Sequence, residues 1–350
     1  MEDILQKNLA TAFSSVQNLD SDQVAEFAEF LRTSYGDQRR YTGEPHLTYI
    51  SEMANRLIDY KIDQSSLFAA FLWGLVHIDQ ANLEVITQRF GTETAELASR
   101  LAKLSIIDFS SSEAAAREKI RRLILALAGD IRVVLLRLLD RAHVLTFIEK
   151  YPSKNPEINA RIAREVYAPL ANRLGIGRLK SELEDKSLNL LRPQEYADVR
   201  RQVLERSSHH ELNVERIKQR VQQEIDNQGI GASIKGRIKT VNSIHKKMRV
   251  QEIPFEDVYD VIGLRIITKS EKIQDCYAVL GIIHSLWKPI PHRFKDFIAV
   301  PKDNGYQSIH TSVIGPNGTP LEFQIRSEKM DYIAELGLAA HWRYKEPGVQ

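Results

Sequence analysis

The sequence predicts an α+β chain of two domains, all-helical first, then a mixed α/β domain built on a central mixed β-sheet. Three observations carry that reading. At ~150 residues per domain, 350 residues make roughly two domains. Apolar positions recur at helical spacing through most of the first 228 residues, and short β-branched runs replace them after Gly229-Ile-Gly231. Hydrophobic residues make up 43% and charged residues 27%, an ordinary globular balance that supplies a core without a metal or disulfide staple.

The helical signals come first along the chain. In Asp130-Ile-Arg-Val-Val-Leu-Leu-Arg-Leu-Leu-Asp140 the apolar side chains at 131, 134, 135, 138 and 139 form one stripe. Similar stripes run through 50–58, 66–76 and 83–104. Breakers fall at Gly43-Glu-Pro45, Gly91, Gly129, Pro152 and Pro156, and Ser110-Ser-Ser112 marks a polar loop. Residues 194–228 are also helical but carry charge on most faces, the pattern of a helix that bridges two bodies or lies across a surface. Beyond it, Val258–Thr268, Phe294–Val300, Ser308–Ile314 and Thr319–Ile325 read as strands. Gly315-Pro-Asn-Gly318 is a hairpin turn signal, and Ile273–Trp287 and Glu328–Tyr344 are helical patterns that pack on the sheet.

Charge and cysteine usage exclude several classes. Lys+Arg 48 against Asp+Glu 46 leaves +2, so no global field draws the chain to nucleic acid or an anionic membrane. The single cysteine, Cys276, excludes an intramolecular disulfide and a cysteine zinc cluster, and fits a reducing cytosol. Met1-Glu2-Asp3 is acidic where a secretory signal is basic. The longest apolar run, Phe68–Val76, is broken by Gly74 and falls short of the ~20 residues that span a bilayer. A soluble, cytoplasmic protein is expected.

Two clusters could carry chemistry. Lys235, Arg237, Lys239, Lys246, Lys247 and Arg249 lie between Gly229 and Gln251 with no acid among them. They read either as a solvated helix face or as a polyphosphate clamp. A P-loop is excluded, because Gly231-Ala-Ser-Ile-Lys-Gly236 is followed by Arg237 and Ile238. The second cluster joins Arg293-Phe-Lys-Asp296, Pro301–His310 and Glu322-Phe-Gln-Ile-Arg326. Strand register puts Glu322, Gln324 and Arg326 on one face, either a polar outer surface or a site, since buried charges need partners. Asp260 and Arg265 add a carboxylate and a cation at a strand. Such a set supplies carboxylates for Mg²⁺, cations for phosphate oxygens and a base for a hydroxyl. Tyr306, beside Gly305, offers a ring for a base to stack on.

These residues come in a recognisable order. Gly-Arg-Ile-Lys239, Ser-Ile-His-Lys-Lys-Met248, Leu-Gly-Ile-Ile-His284, Leu-Trp-Lys-Pro-Ile-Pro291, Arg-Phe-Lys-Asp296, Asn-Gly-Tyr-Gln-Ser-Ile-His-Thr311, Glu-Phe-Gln-Ile-Arg326 and Ala-Ala-His-Trp-Arg-Tyr-Lys345 resemble the synthetase domain of the RelA/SpoT homologues. These are GTP pyrophosphokinases that make (p)ppGpp. Residues 129–191, with Tyr-Ala-Pro-Leu-Ala-Asn-Arg-Leu-Gly175 and Glu-Leu-Glu-Asp185, are similar to the family's helical half. The resemblance implies an HD-like helical domain at 1–195, a helical linker at 196–228 and a nucleotidyltransferase-like synthetase domain at 229–350. It implies that Asp260 holds Mg²⁺ and that Glu322 orients or deprotonates the 3′-hydroxyl of GDP or GTP. Tyr306 would stack on guanine, with Lys302, Asn304, His310 and Gln324 around the acceptor. Lys295 belongs to the loop that tunes acceptor choice. Arg237, Lys239, Ser243, Lys247 and Arg265 would line the ATP side, where Ile238 and Asn242 replace the family's usual proline and tyrosine.

Members that also hydrolyse (p)ppGpp carry a His…His-Asp…Asp metal site in the helical half. Alignment on Gly43-Glu-Pro45 puts Tyr49 at the first histidine, and alignment on Arg89-Phe-Gly91 puts Trp73 and Gly74 at His-Asp. The acidic pair that follows falls on His77-Ile78, and only Asp140 keeps its ligand identity. A two-residue shift offers His77 and Asp79 instead, at the wrong spacing for the dyad. Indole and glycine side chains cannot hold a hard divalent ion. The expectation is a pseudo-hydrolase without bound metal, with Trp73 filling the vacated space and with His77 and His143 ordinary helical residues. A bifunctional synthetase/hydrolase and a catalytically silent nucleotide-sensing or ribosome-associated module are the alternatives. Long members contact the ribosome through domains that would lie past residue 350. No membrane binding and no sequence-specific nucleic-acid binding are expected.

Overall fold

The computed structural model describes residues 2–14, 20–60, 62–105, 129–148 and 155–337. The expected loop at 110–112, the break at Pro152 and the 339–345 motif lie outside the described residues. The chain divides into two compact units between Ala171 and Asn172.

Unit 1 contains helices α1 (Glu2–Ser14), α2 (Ser21–Tyr35), α3 (His46–Leu57), α4 (Gln64–Ile78), α5 (Asn82–Phe90), α6 (Thr92–Ser105), α7 (Ile131–Phe147) and α8 (Pro156–Ile162). Side-chain carboxylates start three of them. Asp20 accepts from Gln23 N–H in a capping box, Asp63 from Ser66 N–H and Asp130 from Arg132 N–H. Each cap contributes about 1 kcal/mol by satisfying an orphan donor. The stripe over 83–104 is divided at Gly91 into α5 and α6. Phe13, Phe27, Phe68 and Phe90 pack edge-on or tilted, with neighbouring centroids 4.9 to 5.6 Å apart. Helix α7 is buried from Val133 through Leu145, and that stretch includes Arg137, Asp140, Arg141 and His143, so these charges must find partners inside the unit.

Unit 2 is a mixed sheet with helices against it. Its strands are β1 (Ala232–Ile238), β2 (Ile262–Thr268), β3 (Lys288–Pro289), β4 (Lys295–Asp296), β5 (Ile309–Ile314) and β6 (Pro320–Ser327). Their order is β1-β2-β6-β5-β3, with β4 also on β5. β2 and β6 are parallel and the other pairs antiparallel. The helices are α9 (Gly177–Leu191), α10 (Pro193–Asn227), α11 (Val241–Gln251), α12 (Ile273–Leu286) and α13 (Glu328–Leu336). One face of the sheet, with Leu264, Ile266, Val313, Phe323 and Ile325, packs on Ile217, Val221 and Ile225 of α10 and on Cys276, Val279 and Ile283 of α12. Strand alternation sends Arg237, Gly263, Arg265, His310, Glu322, Gln324 and Arg326 to the other face.

Three expectations change. Residues 194–228 were expected to bridge or to lie across a surface, but α10 supplies core to unit 2 through Val199 and Val203 as well as the three residues above. Its polar average conceals a narrow apolar stripe at i, i+4 spacing, which is enough to seal one side of a sheet. The run Phe294–Val300 contributes only the two residues of β4, because Asp296 Oδ1 accepts from the N–H groups of Ile298 and Ala299, both at 2.9 Å, and turns the chain. The strand expected from Val258 begins at Ile262.

Gly337 ends α13 at φ 60°, ψ −139°, and an added Cβ would lie 2.0 Å from the carbonyl oxygen of Leu174. Gly337→Ala is therefore expected to destabilise unit 2 by about 2–3 kcal/mol, measured by denaturant unfolding. Among the described residues no helix is long and apolar enough to cross a membrane.

Candidate active site

Asp260 sits just before β2, where its carboxylate receives Lys239, which follows β1, and Lys247 of α11, the latter at 2.6 Å. Burial opposes the charge on Asp260, but the hydrogen bonds from the two lysines override it and lower its pKa to about 2. Glu322 lies on β6, and with Asp260, Arg237, Lys239, Gly263, Leu264 and Gln324 it lines one cavity. The cavity is about 10 Å³, room for a single water while the lysines cover Asp260. The two carboxylates thus share one cation-lined pocket.

Beside Glu322 stands a short relay. Tyr306 Oη lies 2.7 Å from His310 Nε2, and His310 Nδ1 lies 3.7 Å from Glu322 Oε1. Burial lowers the His310 pKa against the opposing pull of Glu322. A neutral His310 that accepts from the Tyr306 hydroxyl therefore points its Nδ1–H at the glutamate. Burial penalises charge on Glu322 too, but His310 and Lys239 win and its pKa is lowered, so it is an ionised carboxylate at neutral pH. The Lys302 ammonium lies 4.5 Å from the Phe297 ring and 4.9 Å from that of Tyr306. Lys295 on β4 is paired with His310 on β5.

Some of the anticipated residues have other partners. Asn304 Nδ2 donates to the carbonyl of Asn172 at 2.8 Å and its Oδ1 accepts from Tyr306 N–H, so it shapes the loop. Ser243 is hydrogen-bonded to Thr240, the N-cap of α11. Arg265 turns to Glu335 at 2.8 Å and Asp331 at 3.3 Å on α13, and Arg326 shares Asp331 at 2.9 Å. Gln324 and Arg326 are 5% and 1% exposed, which removes the reading of a polar outer face. Among the described residues Gln324 Oε1 and the Nε atoms of both arginines have no hydrogen-bond partner. Sequence reading missed Asp331, Glu335 and Phe297. The i, i+4 spacing of the two acids was the available signal. Asn242, at the departure from the family pattern, is buried, and its N–H donates to Asp185 at 2.7 Å.

Unit 1 holds a second ionic cluster, centred on Asp140. Arg40 Nη2 donates to Asp140 Oδ1 at 2.5 Å and Arg137 Nη1 to Oδ2 at 2.6 Å. Arg40 also meets Glu44 at 3.0 Å, and its guanidinium lies 3.7 Å from the centre of the Tyr49 ring. His143 Nε2 lies 3.3 Å from Glu44 Oε1, so this buried helical histidine hydrogen-bonds to the cluster while burial lowers its pKa. Trp73 donates to Tyr49 Oη at 3.3 Å. A side chain at Gly74 would collide with Tyr35 Oη, 2.7 Å from an added Cβ. The guanidinium of Arg40, more than the indole of Trp73, therefore occupies the middle of this site. Both oxygens of Asp140 are taken by fixed cations, so these residues do not fit a divalent metal.

Burial raises the cost of charge on Asp140 and Glu44, but Arg40 and Arg137 around the first, and His143 and Arg40 around the second, lower both pKa values to about 2. Asp260 behaves likewise. Groups depressed on folding contribute stability above their unfolded pKa and lose it as pH falls through the folded one. The melting temperature is thus expected to hold from about pH 7 to pH 5 and to drop steeply between about pH 4 and pH 2. Thermal melts followed by circular dichroism check this, and a level profile down to pH 2 would contradict the ion pairing.

Residues 236–349 match the family described as a region found in RelA / SpoT proteins, and residues 27–177 match an HD domain. The chain is 42% identical over 318 residues to a probable guanosine-3′,5′-bis(diphosphate) 3′-pyrophosphohydrolase of Synechocystis sp., covering 90% of this chain and 41% of that protein. It is 41% identical over 315 residues to a GTP pyrophosphokinase of Myxococcus xanthus, covering 88% and 41%. It is 39% identical over 320 residues to the bifunctional (p)ppGpp synthase/hydrolase SpoT of Escherichia coli, covering 91% and 45%. The chain spans less than half the length of these relatives.

Proposed function

The chain belongs to the RelA/SpoT family, and from that premise we propose that unit 2 is a (p)ppGpp synthetase while unit 1 keeps an HD fold without hydrolytic activity. The synthetase transfers the pyrophosphate of ATP to the 3′-hydroxyl of GDP or GTP. The supporting observation is the convergence of Asp260 and Glu322 on one cavity with Arg237 and Lys239.

A ribose hydroxyl is a weak nucleophile at neutral pH, so a base must take its proton as the bond to the β-phosphorus of ATP forms. Glu322 is ionised and suited to that task, with His310 Nδ1 facing one carboxylate oxygen at 3.7 Å. The bond from the β-phosphorus to the oxygen of the departing AMP breaks as the new one forms. Arg237, Lys239 and Lys247 offer charge to the phosphates once the lysines swing off Asp260 on their flexible stems. The freed Asp260 suits Mg²⁺, a hard oxygen donor beside nucleotide phosphates, and the ion when bound neutralises charge on the transferring group. Tyr306, with Lys302 over its ring, provides the stacking platform for the acceptor base.

Incubation of the purified chain with ATP, GDP and Mg²⁺ tests the reading: AMP and ppGpp are expected in equal amounts. A protein that binds nucleotides yet forms neither product is the silent module instead. The relatives named as hydrolases favour a bifunctional enzyme as the second reading. Release of pyrophosphate from labelled ppGpp in the presence of Mn²⁺ would establish it, whereas the Arg40–Asp140–Arg137 cluster leads us to expect none.

A further inference from the structure

Across the sheet from Glu322 lies a cleft of about 740 Å³ between α10 and the starts of β2 and β6. Val214, Ile217 and Leu321 give it an apolar floor, and Tyr259 and Trp287 stand as aromatic walls. Its rim is cationic. Arg216 and Arg220 are one helical turn apart on α10, so they share a face. Arg216 is exposed and makes no ion pair among the described residues, and Arg220 meets Glu224 at 3.0 Å. Arg206, at the far end, is committed to the carbonyls of Val258 at 2.7 Å and Phe255 at 3.2 Å, so it holds the wall in place. Glu256 is the one acid among the described residues that line the cleft.

We propose that this cleft binds a small amphipathic anion, with a flat apolar body against Trp287 and Leu321 and a phosphate, sulfonate or carboxylate at Arg216 and Arg220. The volume falls in the range of small-molecule sites, about 300–1,000 Å³. Guanidinium groups recognise such anions with two parallel hydrogen bonds, and aromatic walls accept a planar body. The position gives occupancy a consequence. Val261 and Leu321 line the cleft, and each is the chain neighbour of a carboxylate, Asp260 and Glu322. A ligand wedged here presses on the segments that carry both.

The proposal does not depend on the synthetase reading, because its test reads binding alone. The whole chain is titrated with 1-anilinonaphthalene-8-sulfonate, an aromatic body with one sulfonate, and energy transfer from tryptophan to the probe is followed. Saturable binding at one site is expected, with transfer largely lost in Trp287→Phe. In Arg216→Glu/Arg220→Glu, two exposed changes that leave the fold intact, affinity is expected to fall about tenfold or more. Circular dichroism confirms that the variants are folded. The proposal is overturned by the absence of saturable binding, by equal affinity in the charge-reversed variant, or by undiminished transfer without Trp287.

Discussion

Glu322→Gln is expected to reduce (p)ppGpp synthesis by about 10²–10⁴-fold, with the Michaelis constant for GDP nearly unchanged. The substitution keeps the shape of the side chain and an acceptor facing His310, so the packing of β6 against β2 and β5 survives. What it removes is a base. The carboxylate is ionised because His310 and Lys239 lower its pKa against the cost of burial, and an amide cannot take the proton of a ribose hydroxyl. Initial rates of AMP formation for parent and variant measure the effect. A variant within tenfold of the parent would remove Glu322 from the chemistry and leave the pocket as a binding site alone. His310→Phe provides an internal comparison: it frees Glu322 of its neighbour without removing the carboxylate, and a smaller loss is expected from it.

Arg40→Met is expected to cost unit 1 about 3–5 kcal/mol, the cost of leaving a buried partner unpaired. Arg40 is 5% exposed and joins Asp140, Glu44 and the ring of Tyr49 around one guanidinium. Methionine fills much of the volume but supplies no charge, so Glu44 and Asp140 each lose a buried cation, while His143 still faces Glu44 and Arg137 still faces Asp140. The melting temperature of this unit should fall by roughly 10 °C. Because the cation is covalently part of the chain, EDTA or added Mn²⁺ should leave the parent's melting temperature where it is. A stabilising response of the parent to Mn²⁺ would show that a metal enters despite the arginines, and a neutral Arg40→Met would show that the cluster carries little of the stability.

How much of this was legible in the residues differs from place to place. The hairpin of β5 and β6 announces itself through Gly315-Pro-Asn-Gly318, and strand alternation alone sets Glu322, Gln324 and Arg326 on one face. The break at Gly91 and the start of α7 at Asp130 are equally local. Phe294–Val300 misled because its β-branched and aromatic content says nothing of Asp296, whose side chain captures two N–H groups and ends the strand after two residues. α10 misled because average polarity is a poor guide to a helix 35 residues long that needs only a stripe. The expectation that Tyr49, Trp73 and Gly74 hold no metal came from the sequence, but the guanidinium that meets Asp140 could not be read there. Arg40 lies 100 residues from Asp140.

By itself the sequence determined most of the helical and strand segments and the resemblance to the family, and it led to the expectation that Tyr49, Trp73 and Gly74 hold no metal, since each reading depends on near neighbours or on the order of motifs. Only the tertiary structure decided that a guanidinium neutralises Asp140, that α13 claims Arg265 across 70 residues, and that two lysines cover Asp260. The reason is electrostatic. A charge removed from water must be paired within a few ångströms, and the chain's path through space, not its spacing in sequence, sets which partner is that close.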